Sequence, residues 1–190
     1  MTDLSQAIFY TLDGREPTSS SAMYSEPLVL PLGGHLIARA IVGNRKGVVT
    51  EMRIGLVKEG WTAADQDGET LKATLAVDGN RHSSWISSEI TAGKPSLTID
   101  MKKDFSLSGL AYSPAVNGGY IEAFEVEVSR DGQSWEKIHS GAFGNIRNDP
   151  GRRIVMFDTV VVARFVKLSH LVPPGGFTRV GAAEIELLSE

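Results

Sequence analysis

Residues 76–85 read AVDGNRHSSW. Asp78, Gly79 and Asn80 are turn chemistry: glycine and asparagine tolerate positive φ, and aspartate folds back onto its own main chain. Such a turn gathers the Asp78 carboxylate, the Ser83 hydroxyl and nearby main-chain carbonyls. Hard oxygen ligands of this kind suit Ca²⁺. The same residues also read as a plain surface turn followed by a core tryptophan, Trp85. Far along the chain, AAEIEL at 182–187 supplies another acidic group, Glu184.

Two glycine-rich tips carry a different chemistry. They are NGGY at 117–120 and PPGGF at 173–177, followed by Arg179. An aromatic ring stacks on the C–H face of a sugar, while planar donors and acceptors bond its hydroxyls. Tyr120 and Phe177 fit the first role, and Asn117 and Arg179 the second. Either ring could instead cap a hydrophobic core.

Catalytic signatures are missing. No window reads Gly-x-Ser-x-Gly, Gly-x-Gly-x-x-Gly or a phosphate loop. His35, His82, His139 and His170 never fall at i, i+4 metal spacing. Asp100, Asp104, Glu122 and Asp158 offer no distinguishable pair of the kind a glycosidase needs. The loop DQDGE at 65–69 fails the EF-hand register, with glycine at position four and Ala76 at position twelve; it reads as a solvated loop. The chain has 0 cysteines, which excludes thiol nucleophiles, disulfides and cysteine-held zinc. A non-catalytic chain is expected.

Two elements of organisation must position these residues. Within 190 residues the hydrophobic share is 42%, enough for a packed core. A net charge of −4, without basic runs, argues against nucleic acid and against an anionic membrane surface as partners. No apolar run is long enough to span a bilayer. The first residues lack the regions of a signal peptide, so an export signal is expected upstream of Met1. Ile8–Leu12, His35–Val42 and Val48–Leu56 read as strands, with a hairpin signal at Asp13-Gly14 and a turn at Gly43–Gly47. A boundary is expected at 57–60. Beyond it, Leu97, Ile99 and Met101 alternate with polar neighbours, as do Phe124, Val126 and Val128. Residues 154–157, 165–168 and 183–188 complete a set of short strands. Helical periodicity is nowhere sustained, and short strands with Gly, Pro and Asn turns indicate an all-β sandwich or jelly roll.

The turn at 76–85 and the late Ala183-Glu184-Ile185 strand together resemble the carbohydrate-binding branch of the discoidin family. This family is also called the coagulation factor V/VIII type C domain, and it includes the galactose-binding domain of galactose oxidase. Residues 97–101, 107–114, 124–135 and 163–168 look like family counterparts in the right order. The resemblance covers 59–190 and implies a discoidin-type jelly roll. It also implies a structural Ca²⁺ held by Asp78 and Glu184 carboxylates, with main-chain oxygens of Leu75, Asn80 and Ala183 and both oxygens of Ser83. Galactose-binding relatives carry His and Arg where this chain has Ile86 and Ala115. Weak galactose binding is therefore expected, and better binding of an N-acetylated sugar whose methyl uses Ile86 and Ala115.

Residues 1–58, with YTLDGREPT at 10–18, resemble the small immunoglobulin-like module of chitobiases and bacterial β-hexosaminidases. An earlier strand normally precedes that motif, so this module is expected to be partial. Together the resemblances imply a non-catalytic accessory region of a periplasmic or extracellular glycoside hydrolase. The parent would be a β-hexosaminidase, or else an α-L-fucosidase. The implied partners are the terminal sugar of a glycan and the catalytic domain of the same polypeptide. A structural module that docks on the catalytic domain and binds no free glycan is the alternative.

Overall fold

The computed structural model describes residues 7–91, 93–115 and 119–189. The chain divides into two units, one of residues up to Val57 with the last few residues, the other Lys58–Leu187.

The first unit is an antiparallel sheet. Its strands are β1 (Ala7–Thr11), β2 (Ala22–Met23), β3 (Gly34–Val42), β4 (Arg45–Lys46) and β5 (Thr50–Ile54). The order is β2-β1-β3-β4, with β5 also pairing β3. Ile37 and Ile41 of β3 are buried, as a period-two strand requires. Arg39, two residues from each, bonds Glu16 at 3.0 Å and the Gly47 carbonyl at 2.9 Å. Asp13-Gly14 does not close a tight hairpin. The Asp13 carboxylate instead accepts the Arg15 N–H at 3.1 Å, a local turn, and the chain returns only at β2.

The second unit is also all-β. Its strands are β6 (Thr62–Asp65), β7 (Trp85–Ile86), β8 (Leu97–Ser113), β9 (Ala123–Ser129), β10 (Glu136–Ala142), β11 (Arg153–Val172), β12 (Gly181–Ala182) and β13 (Glu184–Leu188). A 3₁₀ turn spans Ala73–Ala76. The main sheet runs β10-β9-β11-β8-β13, with β6 on β8, and β7 and β12 pair separately.

β8 and β11 are far longer than the alternation in sequence suggests. Both continue through irregularities: Lys102 sits at φ 70°, and the β8–β11 register slips between Met156 and Val161. Beyond the irregularity in β8, Leu107 to Ser113 are buried on every side, so alternation disappears. Gly109 is required there, because a Cβ would lie 2.4 Å from the Val155 carbonyl oxygen.

The core is aromatic at one end. Tyr112 stacks on Phe143 at 4.8 Å, and Phe143 on Phe124 at 4.5 Å. The Tyr112 side chain is 0% exposed. Its hydroxyl donates to the Gly181 carbonyl at 2.9 Å and accepts the Ile121 N–H at 3.0 Å. Tyr112→Phe keeps the ring but leaves the buried Ile121 N–H without its acceptor. A loss of about 1–3 kcal/mol is expected, read by urea unfolding of the second unit. An unchanged midpoint would show that the hydroxyl is not a brace.

Candidate functional site

The turn after the 3₁₀ segment is organised by one carboxylate. Asp78 Oδ1 accepts the Asn80 N–H at 2.8 Å, and Oδ2 accepts the Ser83 hydroxyl at 2.6 Å. The Asn80 carbonyl accepts the Ser83 N–H at 3.1 Å. Leu75 lies in the 3₁₀ turn just before, and Ala183 lies between β12 and β13. Trp85, 0% exposed, follows the turn into the core.

Glu184 opens β13 and is only 2% exposed. Burial pushes its carboxyl up; the Lys58 ammonium opposes this, and the charges of Asp78 and Glu186 add to it. Asp78 and Glu184 are thus brought into electrostatic reach of each other. Glu184 Oε1 is paired with the Lys58 ammonium, while Oε2 is buried without a hydrogen-bond partner. An ionised carboxylate with a bare buried oxygen is costly.

Glu186 ties the turn to the same strand. It accepts Arg81 Nη2 at 2.8 Å and Arg152 at 2.7 and 3.1 Å. Burial would raise this carboxyl, but the two guanidinium groups overcome burial and hold it below the ordinary carboxylate range. Lys58, Arg81 and Arg152 were not among the sequence candidates. Only Arg81 lies within either motif, where its charge opposite Glu186 was the one hint. Among the described residues no group of three or more His, Cys, Asp or Glu forms a metal cluster.

The glycine-rich tips meet as well. Tyr120 and Phe177 are half-buried and pack edge to face, with ring centroids 5.4 Å apart at 84°. The Arg147 guanidinium lies 5.5 Å from the Phe177 ring, a residue the sequence reading missed. Arg179 is exposed beside them in sequence. Gly119 sits at φ 95°, and a Cβ there would be 3.1 Å from Gly181 N. Only glycine lets these two main chains approach so closely. Ser87 N–H donates to Val180 O and Ile90 N–H to Thr178 O, each at 2.8 Å, so the segment after Trp85 joins the same group of loops. Asn117 lies outside the described residues. Ala115 is 0% exposed, so its methyl cannot receive a sugar's acetyl group, contrary to the expectation above. The core claims it. Ile86 remains half-buried.

The 65–69 loop is exposed beyond Asp65, as expected of a solvated loop. Asp65 Oδ1 accepts the N–H groups of Asp67 and Glu69, each at 3.0 Å. Its Oδ2 faces Trp85 Nε1 at 3.4 Å. The solvated loop is thus capped by its own aspartate.

The F5/8 type C domain model matches residues 60–183. The chain belongs to this family. A second model, Fn3 associated, matches residues 2–53. Among solved structures, the family member is similar to CBM32-3 of a family 31 glycoside hydrolase from Clostridium perfringens. That likeness has 21% identity, a TM-score of 0.63, and coverage of 72% of this chain and 95% of the other. It is similar to the C-terminal domain of a chitobiase from Bacteroides fragilis, at 22% identity, TM-score 0.57, and 70% and 95% coverage. It is also similar to a family 32 carbohydrate-binding module from Clostridium perfringens solved in complex with galactose, at 21% identity, TM-score 0.57, and 68% and 93% coverage. At these identities the likeness is one of fold. No curated protein matches the chain.

A pH test follows from Glu186. A carboxyl held below its unfolded value of about 4.3 stabilises the fold above that pH. The stabilisation disappears as pH falls through the lower folded value. Glu186→Gln should lower the melting temperature near neutral pH and flatten its decline below about pH 4. Thermal melts across the acid range check this; an unaltered acid slope would exclude Glu186 as a source of it.

Proposed function

We propose that this chain is a non-catalytic carbohydrate-binding region of a larger periplasmic or extracellular glycoside hydrolase. A β-hexosaminidase of the chitobiase kind is the preferred parent. The Tyr120–Phe177 pair carries the reading. Two rings share one end of a rigid β fold, with Arg147 against one of them and Arg179 two residues beyond it. The resemblance to chitobiase-type modules at residues 1–58 supports the parent, as does the fold likeness to modules from glycoside hydrolases.

In this reading Phe177 stacks on the sugar's apolar face, Tyr120 sets its angle, and Arg179 bonds hydroxyls. With Ile86 and Ala115 in place of His and Arg, free galactose should bind at about millimolar strength, near −4 kcal/mol. A glycan screen followed by calorimetry tests this. Phe177→Ala should weaken the best binder at least tenfold. Unchanged binding would move the site elsewhere, and no binding across the screen would sink the reading.

We also propose a structural Ca²⁺ at the Asp78–Glu184 turn. The residues present fit it: the unpartnered, buried Glu184 Oε2 is an oxygen in need of a cation. Asp78 supplies a second carboxylate, and Leu75, Asn80, Ser83 and Ala183 supply neutral oxygens. The ion would contribute charge neutralisation, with Lys58 keeping the other Glu184 oxygen. Saturating Ca²⁺ should stabilise the second unit by about 2.7 kcal/mol at a hundredfold excess over Kd. Asp78→Ala should abolish the increment. Melting curves indifferent to Ca²⁺, chelator and Asp78→Ala would leave Lys58 as the site's sole cation.

A further inference from the structure

The outer face of the main sheet holds a second polar site that the loop tips do not use. On β9, Glu125 and Glu127 alternate with the buried Phe124, Val126 and Val128. Across the register, Lys167 of β11 faces Glu127 and Ser169 faces Glu125. The Lys167 ammonium meets Glu127 Oε2 at 2.7 Å, and the Ser169 hydroxyl donates to Glu127 Oε1. Beyond Ser169 the register slips, and His170 adopts φ 51°. A non-glycine residue in the left-handed region is strained. Bulges of this kind re-aim side chains. Here the bulge turns Leu171 into the core, at 1% exposure, and leaves His170 outside beside Ser169. The Leu171 N–H then bonds the Pro95 carbonyl at 3.2 Å, which draws in the loop carrying Lys94 and Ser96.

The result is a hollow of about 570 Å³ lined by Lys94, Ser96, Glu127, Lys167, Ser169 and His170. That is within the range of about 300–1,000 Å³ typical of small-molecule clefts. Its acids are already engaged. Glu127 holds Lys167 and Ser169, and Glu125 holds His170 at 3.1 Å and Lys137 at 3.5 Å. Lys94 is exposed and makes no ion pair among the described residues. The hollow therefore has a spare ammonium, hydroxyls that donate or accept, and one fixed carboxylate. Glu127 is neutralised by Lys167, but its oxygens keep lone pairs to which a sugar hydroxyl can donate, and which a bare anion cannot use. A carboxylate on the same sugar satisfies Lys94 through a charge-assisted bond.

We propose that this hollow binds a carboxylated sugar, its carboxylate on Lys94 and its hydroxyls on Glu127, Ser169 and His170. The site is distinct from the Tyr120–Phe177 tips and stands or falls separately. Trp135 reports on it, since the Lys167 ammonium lies 4.2 Å over its ring. The other two tryptophans, Trp61 and Trp85, are buried at 5% and 0% exposure.

The experiment titrates the full chain with galacturonate, galactose and acetate at low salt. It follows Trp135 emission together with the amide shifts of Ser169 and His170. Galacturonate should bind saturably, at least tenfold tighter than galactose or acetate. Lys94→Ala, at an exposed loop position, should weaken it about tenfold, and Phe177→Ala should leave it unchanged. Equal response to acetate, no response of either probe, or indifference to Lys94→Ala would overturn the site. Loss in Phe177→Ala would place the acidic sugar at the tips and overturn it too.

Discussion

One phenolic hydroxyl sets the geometry on which the loop end depends. Tyr112 lies within β8, yet its oxygen bonds main chain beside both glycine-rich tips: Ile121 N–H next to Tyr120, and the Gly181 carbonyl beyond Arg179. Burial holds the phenol protonated far above the ordinary range, so it donates and accepts at once. The stacked Phe143 and Phe124 rings fix where that hydroxyl sits. Loops placed by a rigid core can carry recognition without rebuilding the fold. That is how two aromatic side chains, far apart in sequence, meet edge to face.

Charge organises the other motif. β13 alternates Glu184 and Glu186 with the buried Ile185 and Leu187, so both carboxylates share a face. Each is met by cations from distant segments: Lys58 on Glu184, Arg81 and Arg152 on Glu186. The arrangement is asymmetric. Glu186 has more positive partners than it needs, and Glu184 has an oxygen left over. The proposed Ca²⁺ would give that oxygen its missing partner. Breaking a buried charge pair is strongly destabilising, so Lys58 matters with or without the ion.

Much of this was legible in the sequence because the governing physics is local. The Asp78 turn, the alternation on β9 and the aromatic-glycine tips each depend on a few adjacent residues. Where long-range packing decides, the sequence was silent. Residues 107–113 lose their alternation because both faces are buried, and Gly109 is explained only by the Val155 carbonyl against it. Ala115 looked like a loop contact and proved to be core. Tyr112 sits within the 107–114 segment, but its role exists only once Ile121 and Gly181 are folded around it. Lys58 looked like linker composition, and its partner lies 126 residues away.

Amide chemical-shift mapping with a neutral glycan tests the central claim most directly. The isotope-labelled chain would be titrated with N-acetylgalactosamine and with galactose. Shifts confined to residues 86–90, 119–121 and 177–181 are the predicted outcome, with Tyr112→Phe scattering or weakening them. Shifts centred on any other surface, with the Tyr120 and Phe177 amides unmoved, would contradict the account.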